Sequence, residues 1–218
     1  MLKAVIFDVD GTLIDTEKIQ SDAFLNVLKK YGFHTTDLTE HGTVHVPGES
    51  TNETWNRLKE RHDIPVEVEE LTDHKRQAAL DILQTDFKAL PGVIKLFEDL
   101  RKHNIKMAVA SSAQQNRLDY IIEGLGLSNY LDAVVSANDI KNVKPAPDAY
   151  LSAANKIGVE PSECIVIEDA EVGLLSAKAA GMKVVAVPNV YTKRMNFSGA
   201  DLVVDSLEDI SYNSLMAL

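Results

Sequence analysis

Two carboxylates at the end of a short apolar run are the first residues of the chain with the types and spacing to do chemistry. Val5, Ile6 and Phe7 form a continuous apolar segment, which predicts a strand buried on both faces in a parallel sheet. Because side chains alternate along a strand, Asp8 and Asp10 should project to the same side. Two such carboxylates repel each other unless a cation or a shared proton lies between them. The spacing therefore indicates a divalent-metal and phosphate site, and the alternative is a solvated turn with two surface aspartates.

Polar residues also follow three later segments of the predicted fold. In chain order they are Ser111, Ser112, Lys144, Glu168 and Asp169. The serine pair and the acidic pair directly follow predicted strands, and the lysine precedes a Pro-Ala-Pro run that cannot open a helix. Ligands of open α/β sheets bind outside the carboxyl ends of the strands, so these side chains are expected at the edge that holds Asp8.

Each of these residues also has an ordinary interpretation. Ser111 and Ser112 could cap the following helix, and Lys144 taken alone could be a surface lysine. Glu168 and Asp169 could cap the next helix or pair with nearby cations. The residue types by themselves leave these alternatives open.

Strand and helix signals alternate through most of the chain beyond residue 90. Predicted strands lie at 106–110, 133–136, 164–167, 183–187 and 202–204. Predicted helices lie at 93–103, 117–125, 148–157 and 172–180. This alternation predicts an α/β fold with a doubly wound, Rossmann-like parallel sheet.

Residues 15–89 have a different pattern, with helical periodicity and poor strand signals. The first predicted helix is capped by Asp15 or Thr16 and continues until Gly32. The other predicted helices lie at 37–44, 51–62 and 67–87. An Ala-Leu-Pro-Gly run at 89–92 then breaks the helical pattern. We therefore expect one domain built from 1–14 and 90–218, with a helical domain inserted at 15–89.

Composition limits the class of protein. The chain has 218 residues, of which 45% are hydrophobic and 25% charged, as is usual for a globular protein. Its net charge of -11 opposes sequence-independent binding to nucleic acid or to an anionic membrane. Cys164 is the only cysteine, so no intrachain disulfide can form, and a reducing cytoplasmic setting is expected. No apolar stretch approaches 18 residues. We expect no membrane or nucleic-acid partner, and a monomer or weak dimer.

Taken together, the four groups of polar residues resemble the motifs of the haloacid dehalogenase superfamily of phosphohydrolases and phosphomutases. The sequence Asp-Val-Asp-Gly-Thr at 8–12 matches the first motif. Ser111, Lys144 and the pair Glu168-Asp169 follow in the order and spacing of the other three. The resemblance covers the predicted core well, and the insertion only in position and helical character. It implies a Rossmann-like core with an inserted helical cap domain.

The resemblance also implies catalytic roles. Asp8 is similar to the nucleophile that becomes an aspartyl-phosphate, and Asp10 to the general acid and base. Ser111, with Ser112 beside it, and Lys144 would bind the phosphoryl group and balance its charge.

A magnesium site is implied as well. Asp8, the backbone carbonyl of Asp10, and Asp169 would form the Mg²⁺ shell. Glu168 before Asp169 is similar to the beta-phosphoglucomutase-like branch, where this glutamate also serves the metal site.

The function implied is a Mg²⁺-dependent phosphatase acting on a small phosphorylated metabolite such as a sugar phosphate. A beta-phosphoglucomutase is the first alternative, and a non-catalytic phospho-accepting regulatory module is a remote one. A dehalogenase is disfavoured because attack on carbon does not need Asp10.

The inserted domain offers candidate substrate contacts, which also have ordinary interpretations as loop, core or solvated residues. They are His41, His45, Glu49, Trp55, Lys75 and Arg76. A mutase must also hold a second phosphate, yet residues 31–56 contain no Lys or Arg. Gln20 stands where the mutase has a histidine, and glutamine cannot titrate. These two features favour the phosphatase.

Overall fold

The computed structural model describes residues 2–36, 38–46, 49–85 and 87–218. The chain divides into two compact units. We call Met1–Asp15 with Lys88–Leu218 the sheet unit, and Thr16–Phe87 the helical unit.

Six parallel strands form the centre of the sheet unit, in the order β3-β2-β1-β4-β5-β6. Their bounds are β1 Ala4–Phe7, β2 Lys106–Ala110, β3 Ala133–Val135, β4 Cys164–Glu168, β5 Lys183–Ala186 and β6 Leu202–Val203. Phe7 at the end of β1 pairs with Val109 of β2 on one side and with Ile167 of β4 on the other. The predicted doubly wound parallel α/β sheet is confirmed.

Helices of the sheet unit follow the strands in the chain. Their bounds are α4 Val93–Lys102, α5 Gln115–Gly124, α6 Asp148–Ile157, α7 Glu171–Ala179 and α8 Tyr212–Met216. Short 3₁₀ helices lie at Ala137–Asp139, Pro161–Glu163 and Leu207–Asp209.

Burial explains why β1 lies at the centre. Val5, Ile6 and Phe7 are fully buried, as a strand covered on both faces requires. The apolar face of α4 packs here, and the ring of Phe97 stacks on Phe7 with 4.4 Å between centroids. Each large apolar side chain buried in this way contributes roughly 1.5–3 kcal/mol to stability. The residues that follow β1 are therefore held on a rigid support.

The helical unit contains α1 Thr16–Lys30, α2 Thr51–His62 and α3 Val68–Thr85. A capping box starts α2, because Ser50 accepts from the backbone of Glu53 while the Glu53 side chain accepts from Ser50. The core of the unit includes Phe24 and Trp55, whose rings meet edge to face at 4.7 Å between centroids.

The helix predicted at 37–44 is wrong for the residues described there. Residues 38–44 form turns and irregular backbone, and Asp37 lies outside the described residues. The Thr39 and Thr43 hydroxyls lie 2.8 Å apart, and the Thr43 backbone N–H donates to the Thr39 hydroxyl. Such side-chain bonds give the backbone an alternative to helical pairing, and Gly42 adopts a φ of 76° that a helix does not allow.

Over the residues described, no helix has both the length and the apolar character that crossing a membrane would require.

Candidate functional site

The candidate site lies where β1, β2 and β4 end. Asp8 directly follows β1, Ser111 follows β2, and Glu168 and Asp169 end or follow β4. The backbone N–H of Asp8 donates to the Ile167 carbonyl at 3.0 Å, which continues the sheet pairing to this edge. β2 and β3 lie on one side of β1, and β4 lies on the other. Such a reversal of the strand order opens a crevice at the carboxyl edge of the sheet.

Lys144 joins two of the acidic side chains. Its Nζ lies 2.5 Å from Asp8 Oδ1 and 2.7 Å from Glu168 Oε1. All three side chains are less than one-tenth exposed, so Lys144 is not the surface lysine of the alternative interpretation. Buried charges need such partners, because an unpaired ion away from water is strongly disfavoured.

Both carboxylate oxygens of Glu168 accept hydrogen bonds. The Tyr150 hydroxyl donates to its Oε1 at 2.6 Å, and the backbone N–H groups of Asp169 and Ala170 donate to its Oε2. Gly173 of α7 leaves room for this carboxylate, since a Cβ there would lie 1.6 Å from Oε1. The carboxylate is therefore fixed by donors and by the shape of the neighbouring helix.

Asp169 is positioned by the loop after β5. Asn189 Nδ2 donates to Asp169 Oδ2 at 2.7 Å and lies 3.4 Å from the Gly11 carbonyl oxygen. Gly11 has a φ of 83°, and a Cβ at this position would lie 2.3 Å from Asp169 Oδ2. Only glycine suits both the turn after β1 and this close approach.

A metal ion would fit among three of these carboxylates. Asp8, Glu168 and Asp169 are buried and each offers an oxygen, with all three oxygens within 4.8 Å of one another. The single positive charge of Lys144 balances one carboxylate of the three, so a divalent cation would relieve the remaining repulsion. Carboxylate oxygens are the donors that Mg²⁺ prefers.

The pKa values of the acids reflect this crowding. Burial raises the pKa of Asp8 well above its usual range, Lys144 opposes the rise, and the nearby carboxylates add to it. Burial, followed by the charge of Glu168, raises the pKa of Asp169 to about 7. Both shifts mean that the charged acids lack sufficient compensation from the protein alone.

The basic and phenolic partners keep their protons. Burial acts to lower the pKa of Lys144, but Asp8 and Glu168 outweigh it and raise that pKa well above its ordinary value. Burial, together with the Glu168 charge, raises the pKa of Tyr150 well above its ordinary value. Lys144 is therefore a cation and Tyr150 a hydrogen-bond donor at neutral pH.

Asp10 lies beside this group with different partners. Arg117 Nη2 donates to Asp10 Oδ1 at 2.5 Å, and the Ser111 hydroxyl donates to Asp10 Oδ2 at 3.4 Å. The Ser111 oxygen also accepts from the Ala113 backbone at 3.0 Å. The metal contact predicted for the Asp10 backbone carbonyl stays a prediction.

The capping alternatives are wrong. The N-cap of α5 is Gln114, so neither Ser111 nor Ser112 caps that helix, and the Ser112 side chain is exposed. The N-cap of α7 is Ala170, which follows the acidic pair. The serine pair and the acidic pair therefore lie before the N-caps of the helices that they were expected to cap.

Residues of the helical unit have internal partners. His45 is buried against Glu17, and Trp55 is fully buried in the core. Arg57 donates two hydrogen bonds to the Glu49 carboxylate, from Nη2 at 2.8 Å and from Nε at 3.1 Å. These bonds lower the pKa of Glu49 to about 2.

The remaining candidates of this unit are also paired. Lys75 donates to Gln20 and its Nζ lies 5.0 Å from the centre of the Phe24 ring. Arg76 contacts Asp73 at 2.7 Å, and His41 lies 3.4 Å from Glu40. A substrate contact by any of these candidates stays a prediction.

Three contributors to the site were missed from the sequence. Asn189 follows the end of β5, so the strand-end rule could have found it. Tyr150 gave no signal, because an aromatic residue on an amphipathic helix normally belongs to the core. Arg117 gave only a weak signal: a cation in the first turn of a helix opposes the helix dipole, which indicates that another interaction keeps it there.

Comparison with known proteins gives consistent results. A family model described as haloacid dehalogenase-like hydrolase matches residues 5–187. The fructose-1-phosphate phosphatase YqaB of Escherichia coli (strain K12) is 34% identical over 185 residues, which cover 84% of this chain and 95% of that protein.

A second relative extends well beyond the aligned region. The bifunctional riboflavin kinase/FMN phosphatase of Arabidopsis thaliana is 31% identical over 208 residues. The match covers 94% of this chain and 54% of that protein, so the chain spans about half of its length.

Among solved structures, a Thermotoga maritima protein provisionally described as a beta-phosphoglucomutase superposes with a TM-score of 0.83. It is 29% identical, and the match covers 100% of both chains.

Proposed function

The chain belongs to the haloacid dehalogenase-like hydrolases, and we propose that it is a Mg²⁺-dependent phosphatase that acts through an aspartyl-phosphate on a small phosphorylated metabolite, such as a sugar phosphate. Membership makes it an enzyme of the hydrolase class, whose relatives include phosphatases named for fructose 1-phosphate and FMN. The observation that carries the proposal is the buried Lys144, held between Asp8 and Glu168 beside Asp169.

In the first step, a carboxylate oxygen of Asp8 attacks phosphorus. The bond from Asp8 to phosphorus forms while the bond from phosphorus to the sugar oxygen breaks. Protonated Asp10 gives its proton to that leaving oxygen and becomes a carboxylate. The ion pair with Lys144 favours the charged form of Asp8 that this attack needs.

In the second step, water attacks phosphorus and gives a proton to the Asp10 carboxylate. The bond from Asp8 to phosphorus breaks, inorganic phosphate leaves, and both aspartates return to their starting forms.

Charge on the phosphoryl oxygens must be balanced throughout. Lys144 and the Ser111 hydroxyl lie at the edge where that group would bind, and both can donate hydrogen bonds. Asp8, Glu168 and Asp169 would hold Mg²⁺, which when bound supplies further positive charge to the phosphoryl group.

The helical unit is proposed to be an inserted cap domain that selects the metabolite. We predicted the insertion at 15–89, and the compact unit spans Thr16–Phe87.

A beta-phosphoglucomutase is the second candidate, favoured by the similarity to the Thermotoga maritima structure. Against it, a mutase needs a cationic cradle for a second phosphate. The two candidate cations of the helical unit for that task are engaged inside the unit: Lys75 with Gln20, and Arg76 with Asp73. Arg57 also has a partner there, Glu49. We therefore propose that water, rather than a sugar hydroxyl, resolves the aspartyl-phosphate.

The test is a panel of phosphate esters with Mg²⁺: fructose 1-phosphate, glucose 6-phosphate, beta-glucose 1-phosphate and FMN, assayed for inorganic phosphate. We expect phosphate release from at least one sugar phosphate. Beta-glucose 1-phosphate is also supplied with a trace of the bisphosphate, and glucose 6-phosphate is followed beside inorganic phosphate. Rapid isomerisation with little phosphate release would establish the mutase instead.

A further inference from the structure

Arg117 is the partner of Asp10 that the proposed mechanism does not yet use. Its Nη2 lies 2.5 Å from Asp10 Oδ1, while the Ser111 hydroxyl lies 3.4 Å from Oδ2. The Arg117 and Asp10 side chains are 28% and 34% exposed, so the pair lies at the surface of the site and is open on one side. Both oxygens of Asp10 therefore have donors that come from the segment after β2.

The position of Arg117 in α5 is not explained by helix stability. Arg117 is the third residue of this helix, and a cation in the first turn faces the positive end of the helix dipole. That placement disfavours the helix by about 0.3–1 kcal/mol. The first turn holds no acidic residue, so no carboxylate within this turn offsets the Arg117 charge. The bond to Asp10 is the interaction that fits this location.

We propose that Arg117 is a positioning residue for the general acid and base. Arg117 holds the Asp10 carboxyl group beside Ser111 and outside the group of Asp8, Glu168 and Asp169. From there Asp10 reaches the leaving oxygen in the first step and the attacking water in the second. This inference rests on the proposed phosphatase function.

An arginine suits this task better than a lysine. Its planar guanidinium fixes the direction of a hydrogen bond to a carboxylate, whereas an ammonium acts as a point charge on a flexible stem. We therefore expect Arg117→Lys to retain more activity than Arg117→Ala.

The test compares two leaving groups. A sugar alkoxide needs a proton to leave, whereas p-nitrophenolate is a weak base that leaves without one. The probes are p-nitrophenyl phosphate and the sugar phosphate of the panel that the wild type hydrolyses fastest. For Arg117→Ala we expect kcat/KM for the sugar phosphate to fall about 10- to 100-fold, within the contribution of general acid catalysis. We expect kcat/KM for p-nitrophenyl phosphate to fall less than about threefold, and Arg117→Lys to lie between Arg117→Ala and the wild type.

Two further variants make the result specific. Asp10→Asn should show the same dependence on the leaving group. If it loses equal activity with both esters, the role of Asp10 as general acid in the proposed function is overturned. Arg101→Ala is the matched control, because Arg101 lies in the last turn of α4 and its Nη2 donates to the Asn129 carbonyl at 2.8 Å. We expect it to match the wild type with both esters.

Equal losses for both esters in Arg117→Ala would overturn the inference, because they would make Arg117 a phosphate-binding or merely structural residue. Unchanged kinetics would overturn it as well. If Asp10→Asn shows the leaving-group dependence and Arg117→Ala does not, this inference fails while the proposed function stands.

Discussion

At the scale of single residues, the site is a set of buried charges that need one another. Lys144 contacts Asp8 and Glu168, and the Tyr150 hydroxyl shares the Glu168 oxygen that Lys144 contacts. Removing the ammonium would leave two buried carboxylates facing each other without a counter-charge. Breaking a buried pair in this way typically destabilises a protein by about 3–5 kcal/mol.

Lys144→Met should therefore abolish phosphatase activity and lower the free energy of unfolding by about 3–5 kcal/mol in urea without added metal. Lys156→Met is the control, since Lys156 pairs with Asp139 at 2.8 Å with its side chain 38% exposed. That control should lose less than about 1 kcal/mol. Equal stability losses in the two variants would show that Lys144 is not a structural counter-charge.

At the scale of elements, the strand ends position the chemistry and α7 shapes it. Gly173 lies on α7, and its missing side chain provides the space that the Glu168 carboxylate occupies. A glycine inside a helix normally disfavours that helix by roughly 0.5–1 kcal/mol relative to alanine. Here the glycine is required by the neighbouring carboxylate.

Gly173→Ala should accordingly destabilise the protein, by about 1–3 kcal/mol, rather than stabilise it. The same substitution in a Glu168→Ala background should be neutral or stabilising, because the clashing carboxylate is then gone. Urea unfolding of the four proteins gives both values. A stabilising Gly173→Ala in the wild-type background would be inconsistent with this packing.

A pH effect is expected from the segment that precedes α2. The hydrogen bond from Arg57 lowers the pKa of Glu49 to about 2 from an ordinary value of 4.5. A depressed pKa means that this pair stabilises the folded state above pH 4.5, and that the contribution is lost as pH falls towards 2. The wild type should therefore exceed Glu49→Gln in stability at pH 7, and the gap should narrow by pH 2.5. A gap that is constant with pH would contradict the ion pair.

The elements also show how far sequence reasoning reaches. Strand ends were predictable, because buried parallel strands are continuous apolar runs and the polar residue after each run marks the carboxyl edge. Residues 38–44 were predicted wrongly, since local threonine hydrogen bonds there compete with helical pairing. Tyr150 could not be predicted, because its hydroxyl becomes useful only once folding brings α6 against the end of β4. Tertiary contacts of this kind have no local sequence pattern.

At the scale of the whole molecule, the acidic cluster links stability to metal binding. Three buried carboxylates with one ammonium leave negative charge that the protein alone does not balance. A cation bound there stabilises the folded state by mass action, by about 2.7 kcal/mol at a concentration 100 times its Kd. For a chain of this size, each kcal/mol raises the melting temperature by about 2–4 °C.

Mg²⁺ should thus raise the melting temperature of the wild type after exhaustive chelation. Asp169→Asn should reduce that rise, because it replaces one of the three charged carboxylates with a neutral amide. Asp119→Asn, on the exposed surface of α5, should respond to Mg²⁺ as the wild type does. An enzyme fully active after chelation would contradict a Mg²⁺ requirement.

The central claim is that Asp8 becomes phosphorylated during turnover. The direct measurement mixes enzyme with the best sugar phosphate of the panel, quenches rapidly in acid, and reduces the acyl phosphate with borohydride before peptide mapping. Reduction converts a phosphorylated aspartate to homoserine, so we predict homoserine at position 8, and neither homoserine nor turnover in a folded Asp8→Asn variant. Wild-type phosphate release by Asp8→Asn, or the phosphoryl group on another residue, would contradict the account.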